Sequence, residues 1–189
     1  MKLEHAQEQG NLLVSALAKF CLPKMCMVVG STRRLVDEPG DLELLCCPDL
    51  NGHPRLEFGK PAFSSFFDQA LHGMVEKNIL TPTNKGNLCR KYYLNSSHSK
   101  LQIWVLYDPS LWGVCATVYT GPADFSKWVV TQRQFGGALP DGHRITDGWK
   151  LYDMYQSRIT VPTEGEFLEF LGLGWVEPKD RRANMRKWK

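Results

Sequence analysis

Apolar positions recur at helical spacing in several stretches of this chain and at strand spacing in others. Between residues 3 and 20, Leu3, Ala6, Leu12, Leu13, Ala16, Leu17 and Phe20 fall mostly on one helical stripe. Gly10 weakens its middle and Pro23 ends the element. Residues 25–29 are a short apolar run suited to a buried strand, which passes directly into Gly30-Ser31 and the polar Thr32-Arg33-Arg34. A second strand is predicted over 41–47, launched by Pro39-Gly40 and stopped by Pro48. The clearest amphipathic helix spans 61–78, where Phe63, Phe66, Phe67, Ala70, Leu71, Met74 and Val75 recur at three- and four-residue steps. Residues 90–94 and 100–106 then pair as strands around Asn95-Ser96-Ser97.

Residues 122–135 read as a helix with Phe125, Trp128 and Val129 facing inward, closed by Gly136 and Gly137. Short strands follow around 144–145, 149–151 and 158–160. A last helix starts at Thr163, where Thr163-Glu164-Gly165-Glu166 supplies a Thr-x-x-Glu capping box, and ends at Gly172. This mixed order predicts an α+β protein with a sheet-bearing first lobe and a boundary near Thr120-Gly121-Pro122. No internal repeat and no low-complexity segment interrupts it.

Composition narrows the class. The chain has 189 residues, of which 43% are hydrophobic and 11% aromatic, enough to build a core and to exclude a disordered chain. At this length folding removes roughly 70% of the unfolded surface, so neither a disulfide nor a metal is required for stability. No apolar run approaches the roughly 20 residues that cross a bilayer. The opening Met1-Lys2-Leu3-Glu4-His5 lacks the basic-then-apolar order of a secretory signal. A soluble cytoplasmic protein with no membrane association is the expectation. The six cysteines, at 21, 26, 46, 47, 89 and 115, contain no Cys-x-x-Cys pair and no matching histidine spacing, which argues against a zinc site. Reduced thiols packed as small core residues are expected, and no chemistry is assigned to them. The five histidines are scattered without ligand or nucleophile spacing. Of the six tryptophans, five lie in patterned elements and are expected in the core, with Trp188 left in the basic tail.

The net charge of +3 is too mild to name a partner, but its placement says more. Residues 179–189 hold Lys179, Arg181, Arg182, Arg186, Lys187 and Lys189 against Asp180 alone. Such a run is either a solvated tail or a contact to nucleic-acid phosphates.

Candidate chemistry gathers in the first third of the chain. Gly30-Ser31 follows a strand and opens an arginine-bearing turn, where backbone amides, a hydroxyl and Arg33 and Arg34 suit an anion. The same pair also makes an ordinary turn and cap. Asp41-Leu42-Glu43 stands at the start of a strand, so period-two geometry puts both carboxylates on one face, roughly 6–7 Å apart. Acidic residues are poor strand formers, and two on one face repel unless cations lie between them. A Mg²⁺ pair wants that arrangement; an exposed edge strand with a solvated acidic face is the alternative.

The pattern Gly-Ser-x-Arg-Arg followed by Gly-Asp-x-Glu, with Gly30 and Gly40 ten positions apart, resembles the family X DNA polymerases of the polymerase-beta nucleotidyltransferase superfamily. Tyr119-Thr120-Gly121 before a helix is similar to that family's sugar-sensing turn, and the run from Phe167 to Trp175 with Glu177-Pro178-Lys179-Asp180-Arg181 is similar to its closing segment. The resemblance covers nearly the whole chain and is nearest to compact viral and bacteriophage forms, with no room for the family's helix-hairpin-helix and lyase regions. It implies a nucleotidyltransferase palm over residues 1–118, a mixed β-sheet flanked by helices, and a small α+β nucleotide- and DNA-facing subdomain over 119–189.

Carried over by position, the resemblance implies that Ser31 and Arg34 hold the triphosphate with the Gly40 backbone nearby. Asp41 and Glu43 would bind Mg²⁺, or Mn²⁺ in its place. Tyr119 and Gly121 would pack against the sugar, Ala123, Ser126 and Lys127 would face the base, and Lys100 would lie near the primer end. Arg181 and Arg182 would contact DNA. The family often has a cis peptide after the glycine of its sugar-sensing turn, here Gly121-Pro122. Its third carboxylate falls on Gln102, and no Asp or Glu occurs between Lys77 and Tyr107 to replace it. Asp108 lies about 20 Å further along at ~3.3 Å per residue. The implied activity is addition of a dNMP to a DNA 3′ end by a monomer, impaired by Gln102. The alternative is a catalytically degenerate protein that binds nucleotide or DNA. Transfer to a protein or small molecule fits the polymerase-like C-terminal half less well. A cytoplasmic site of action is implied, which for a viral or phage protein is the host cytoplasm, with the nucleus or a viral factory left open.

Overall fold

The stripe at the start of the chain becomes α1 (Leu3–Leu17), which buries Ala6, Leu13 and Leu17. The computed structural model describes residues 1–51 and 65–185. Gly10 weakens the helical signal but has a tertiary cause. A Cβ there would stand 2.7 Å from Val28 Cγ2 and 3.3 Å from Leu42 Cδ1, so glycine lets α1 lie close against the sheet. The helix stops at Leu17, before Pro23, which instead sits inside β1 (Cys21–Val29). β1 is an edge strand, where the missing N–H of proline is tolerated.

Two compact units follow from the chain's contacts: Met1–Val28 with Asp37–Tyr107, and Val29–Val36 with Asp108–Lys189. The first carries a five-stranded mixed sheet in the order β1-β2-β5-β4-β3. Here β2 is Leu42–Pro48, β3 Leu80–Lys85, β4 Cys89–Leu94 and β5 Ser99–Val105. β2 runs parallel to β5, β5 antiparallel to β4, and β4 antiparallel to β3. Leu42 and Leu44 from β2 and Leu101, Ile103 and Val105 from β5 point into one core with Leu13 and Leu17 of α1. Phe67 and Leu71 of α3 (Phe66–Glu76) complete it. Within the predicted 61–78 stripe, Phe63 lies outside the described residues and Phe66 is exposed. Ser65 caps the helix, its Oγ accepting from the Asp68 amide at 3.1 Å.

The second unit holds α2 (Gly30–Arg33), α4 (Trp112–Thr120), α5 (Ala123–Val130), α6 (Glu164–Phe170) and a three-stranded antiparallel sheet. Its strands are β6 (Arg144–Ile145), β7 (Leu151–Tyr152) and β8 (Arg158–Ile159). α4 has no apolar stripe to betray it, because it is buried nearly all round and therefore apolar nearly all round. The helix predicted over 122–135 ends at Val130. Thr131 is extended there, and its carbonyl accepts from the Leu139 amide at 3.0 Å, which draws the chain out of the helix. The separate turn Arg133–Phe135 then closes on Gly136 in the left-handed conformation. Tyr119 and Gly121 thus fall within the second unit together with residues 108–118. The Gly121–Pro122 bond is trans, as is every described peptide bond; the family's cis bond is absent and Pro122 starts α5 in the ordinary extended conformation.

The capping box at Thr163 is present on both sides. Thr163 Oγ1 accepts from the Glu166 amide at 3.2 Å, and Glu166 Oε2 accepts from the Thr163 amide at 2.9 Å. Thr163→Ala is expected to destabilise by about 0.5–2 kcal/mol, read from the midpoint of denaturant unfolding. Among the described residues no helix is long and apolar enough to cross a membrane.

Candidate active site

Period-two geometry on β2 sends Leu42 and Leu44 into the core and leaves Glu43 on the opposite face, with Asp41 just before the strand on the same side. Both acids are half-buried. The parallel pairing of β2 with β5 sets Glu43 opposite Gln102. Gln102 Nε2 donates to Asp41 Oδ2, and Trp104 Nε1, two residues further along β5, donates to Glu43 Oε1 at 3.3 Å. Each carboxylate is therefore met by a neutral N–H from the neighbouring strand. β4 adds Lys91 opposite Gln102 and Tyr93 opposite Lys100. Asp41, Gln102, Lys91, Lys100, Tyr93 and Thr83 line a cleft of about 310 Å³. Lys100 is exposed and lines this cleft. Gly40 is exposed too, and a Cβ there would meet nothing within 4 Å, so sterics do not demand glycine.

The Gly-Ser turn is built in the second unit. Gly30 opens α2 with φ +65°, a conformation that favours glycine. Arg34 Nη1 donates to the carbonyls of Thr120 at 2.8 Å and Gly121 at 3.1 Å, where α4 ends and its carbonyls lack helical partners. Arg33 Nη1 donates to Thr120 Oγ1 at 2.7 Å. The two motifs, almost ninety positions apart, are thus bonded to each other, and Ser31 is half-buried within the first. Tyr119 accepts from Trp149 Nε1 at 2.7 Å and meets its ring edge-on at 5.7 Å. Gly121 is required by close approach: a Cβ would stand 2.5 Å from Phe125 Cδ1. Ser126 Oγ donates to the Val118 carbonyl at 2.6 Å, so its hydroxyl ties α5 to α4. Ala123 and Lys127 lie one helical turn apart on the exposed side of α5.

Arg181 corrects the reading of the basic run. Its side chain is fully buried, donating to Glu164 Oε1 at 2.7 Å and to the Val176 carbonyl at 3.2 Å, and is not placed to meet DNA. Glu164 also takes both Arg33 Nη groups, at 3.0 and 2.6 Å. Burial alone would raise the Glu164 carboxyl, yet the two guanidiniums outweigh it and hold it below the usual range. Arg182 and Lys179 are exposed, while residues 186–189, Trp188 included, lie outside the described residues. Trp175 is also not a core residue: it is 54% exposed and donates to Glu177 Oε1 at 2.8 Å. Asp108 caps the turn Pro109–Leu111 through the Ser110 amide and pairs with Arg158, in the second unit.

Sequence reasoning missed Trp104 and Lys91. Trp104 was legible as the residue two beyond Gln102 on the same strand face; Lys91 needed the register of β4 against β5. It also left the cysteines as separate core residues, whereas the fold brings Cys21, Cys26 and Cys46 together with their sulfurs within 4.8 Å of one another. Set against known proteins, the chain matches no family model and no curated sequence.

Proposed function

We propose that the chain is a nucleotidyltransferase of the polymerase-beta type, adding a dNMP to a DNA 3′ end, with residues 1–118 as its palm. The observation that carries this reading is the layout of Asp41, Glu43 and Gln102. Two carboxylates share one strand face, and a third polar side chain of nearly glutamate shape meets them from the parallel neighbour. The bonds from Arg33 and Arg34 to Thr120 and Gly121 support it, since they join the phosphate turn to the sugar turn.

Half-buried carboxylate oxygens on one side of a strand fit a hard divalent ion, so Asp41 and Glu43 would hold Mg²⁺ or Mn²⁺. Bound there, the ion supplies neutralisation of phosphate charge. On this reading Ser31 and Arg34 would hold the triphosphate, Tyr119 and Gly121 would pack against the sugar, and Ala123, Ser126 and Lys127 would face the base. Lys100 attracts primer phosphates at the cleft, and Arg182 provides the DNA contact that the buried Arg181 does not. Gln102 accepts no proton, so turnover proceeds without general-base help, a loss of about 10²–10⁴-fold. The partners are DNA and dNTPs, and a cytoplasmic monomer is the setting this reading implies.

Primer extension with Mg²⁺ and with Mn²⁺ tests the proposal. Product above that of an Asp41→Ala control supports it, and product equal to that control ends it. One observation favours a second reading, in which the chain binds nucleotide without turnover: the Gln102 amide already occupies Asp41. Under that reading dNTP quenches tryptophan fluorescence only when Mn²⁺ is present, and no primer is extended.

A further inference from the structure

β1 is an edge strand that carries two cysteines five positions apart, Cys21 and Cys26. In a regular strand an odd separation sends two side chains to opposite faces. Here they meet, because Lys24 between them has φ +62°, a left-handed backbone that a lysine adopts only at a cost. That irregularity, set beside Pro23, resets the alternation and turns Cys26 to the side of Cys21. Cys46, in the middle of the neighbouring strand β2 and 0% exposed, supplies the third sulfur. The three Sγ atoms lie within 4.8 Å of one another, with Cys26 and Cys46 3.6 Å apart. Among the described residues they form the only group of three metal-ligand side chains so placed.

We propose that Cys21, Cys26 and Cys46 form a binding site for a thiophilic metal ion of the Zn²⁺ or Cu⁺ kind. Thiolates around an ion at ~2.3 Å stand roughly 3.8–4 Å apart, for three corners of a tetrahedron or for a trigonal set. The trio therefore needs only small side-chain adjustments. Soft sulfur donors select these ions over the hard cation suited to Asp41 and Glu43, so the two sites do not compete for one metal. Hydrogen bonds from Cys21 and Cys46 hold the Cys26 thiol below the ordinary range, whereas the bond to Cys26 raises Cys21, the bonds to Cys21 and Cys26 raise Cys46, and burial adds to both. All three thiols would give up their protons as the ion binds. Because Cys46 lies on β2 and the other two on β1, the bound ion fastens a strained edge strand to its neighbour, independently of any activity at Asp41.

The test is metal titration of the reduced, chelator-treated full chain, with Cd²⁺ as the spectroscopic probe. A thiolate-to-cadmium absorption band that saturates at one equivalent per chain, survives in Cys89→Ser and falls at least tenfold in apparent affinity in Cys26→Ser supports the site. Zn²⁺ and Cu⁺ are then added in separate competitions, and the ion that removes the band at the lower free concentration is the native type. Cys26 is half-buried, so its serine variant is the arm least exposed to misfolding; circular dichroism confirms its fold, and Cys21→Ser repeats the measurement. Absence of the band, or a band unchanged in both Cys26→Ser and Cys21→Ser, overturns the proposal. So does a mass two units lower with two thiols lost and no metal bound, which would mean a Cys26–Cys46 disulfide instead.

Discussion

Glu164→Ala is expected to destabilise the second unit by about 3–5 kcal/mol, the range for removing one partner from a buried ion pair. Glu164 is 7% exposed and receives Arg33 on both oxygens and Arg181 on one. Without it two guanidiniums stay behind, the Arg181 side chain at 0% exposure, with their positive charges facing each other. Arg33 also donates to Thr120, so the loss reaches the contact between α2 and the end of α4. Replacement by glutamine keeps the shape and one acceptor and should cost less. Thermal and denaturant unfolding of both variants measure this. An alanine variant within 1 kcal/mol of wild type would show that the network contributes little.

The same residue sets a pH signature. The folded Glu164 carboxyl is held below its ordinary value of 4.5, so its contribution is complete above that value and is lost as pH falls through the folded value. Asp108, also held low through Ser110 and Arg158 despite the opposing effect of burial, adds in the same direction. Wild type should therefore lose stability below pH about 4.5 more steeply than Glu164→Gln, in which the group no longer titrates. Parallel acid limbs for the two proteins would count against the assignment.

On the proposed nucleotidyltransferase reading, Gln102→Asp is the second large effect, expected to raise primer extension by about 10²–10⁴-fold. The substitution places a proton acceptor and a third hard oxygen donor opposite Glu43, and it withdraws the amide that now binds Asp41. It also puts three like charges on one face, so the variant should be less stable than wild type without metal and regain that loss with Mn²⁺. Extension rates and melting temperatures with and without Mn²⁺ read both consequences. A folded variant stabilised by Mn²⁺ yet no more active than wild type would count against the proposed transfer activity.

Periodicity and caps were enough to recognise α1, α3, the β4–β5 hairpin, the Thr163 box and the face shared by Asp41 and Glu43. Each is written within a few residues of itself, where spacing of 2 or 3.6 and one hydroxyl decide the local backbone. α4 was not legible, since a helix buried nearly all round has no polar face to give it a period. The end of α5 at Val130 was also hidden, because the Thr131–Leu139 bond that closes it depends on where the chain returns.

The bond from the Gln102 amide to Asp41 spans 61 positions and that from the Arg33 guanidinium to Glu164 spans 131, and no local pattern couples them. Strand register brings the first pair together and helix packing the second. The same holds for the three cysteines, which read as isolated core residues until a left-handed Lys24 turned one of them around. Short-range order is encoded residue by residue, whereas a buried charge or a sulfur cluster exists only once distant segments have been fixed against each other. Hence the basic run around Arg181 could suggest a phosphate contact in the chain and prove, in the fold, to hold the partner of a buried glutamate.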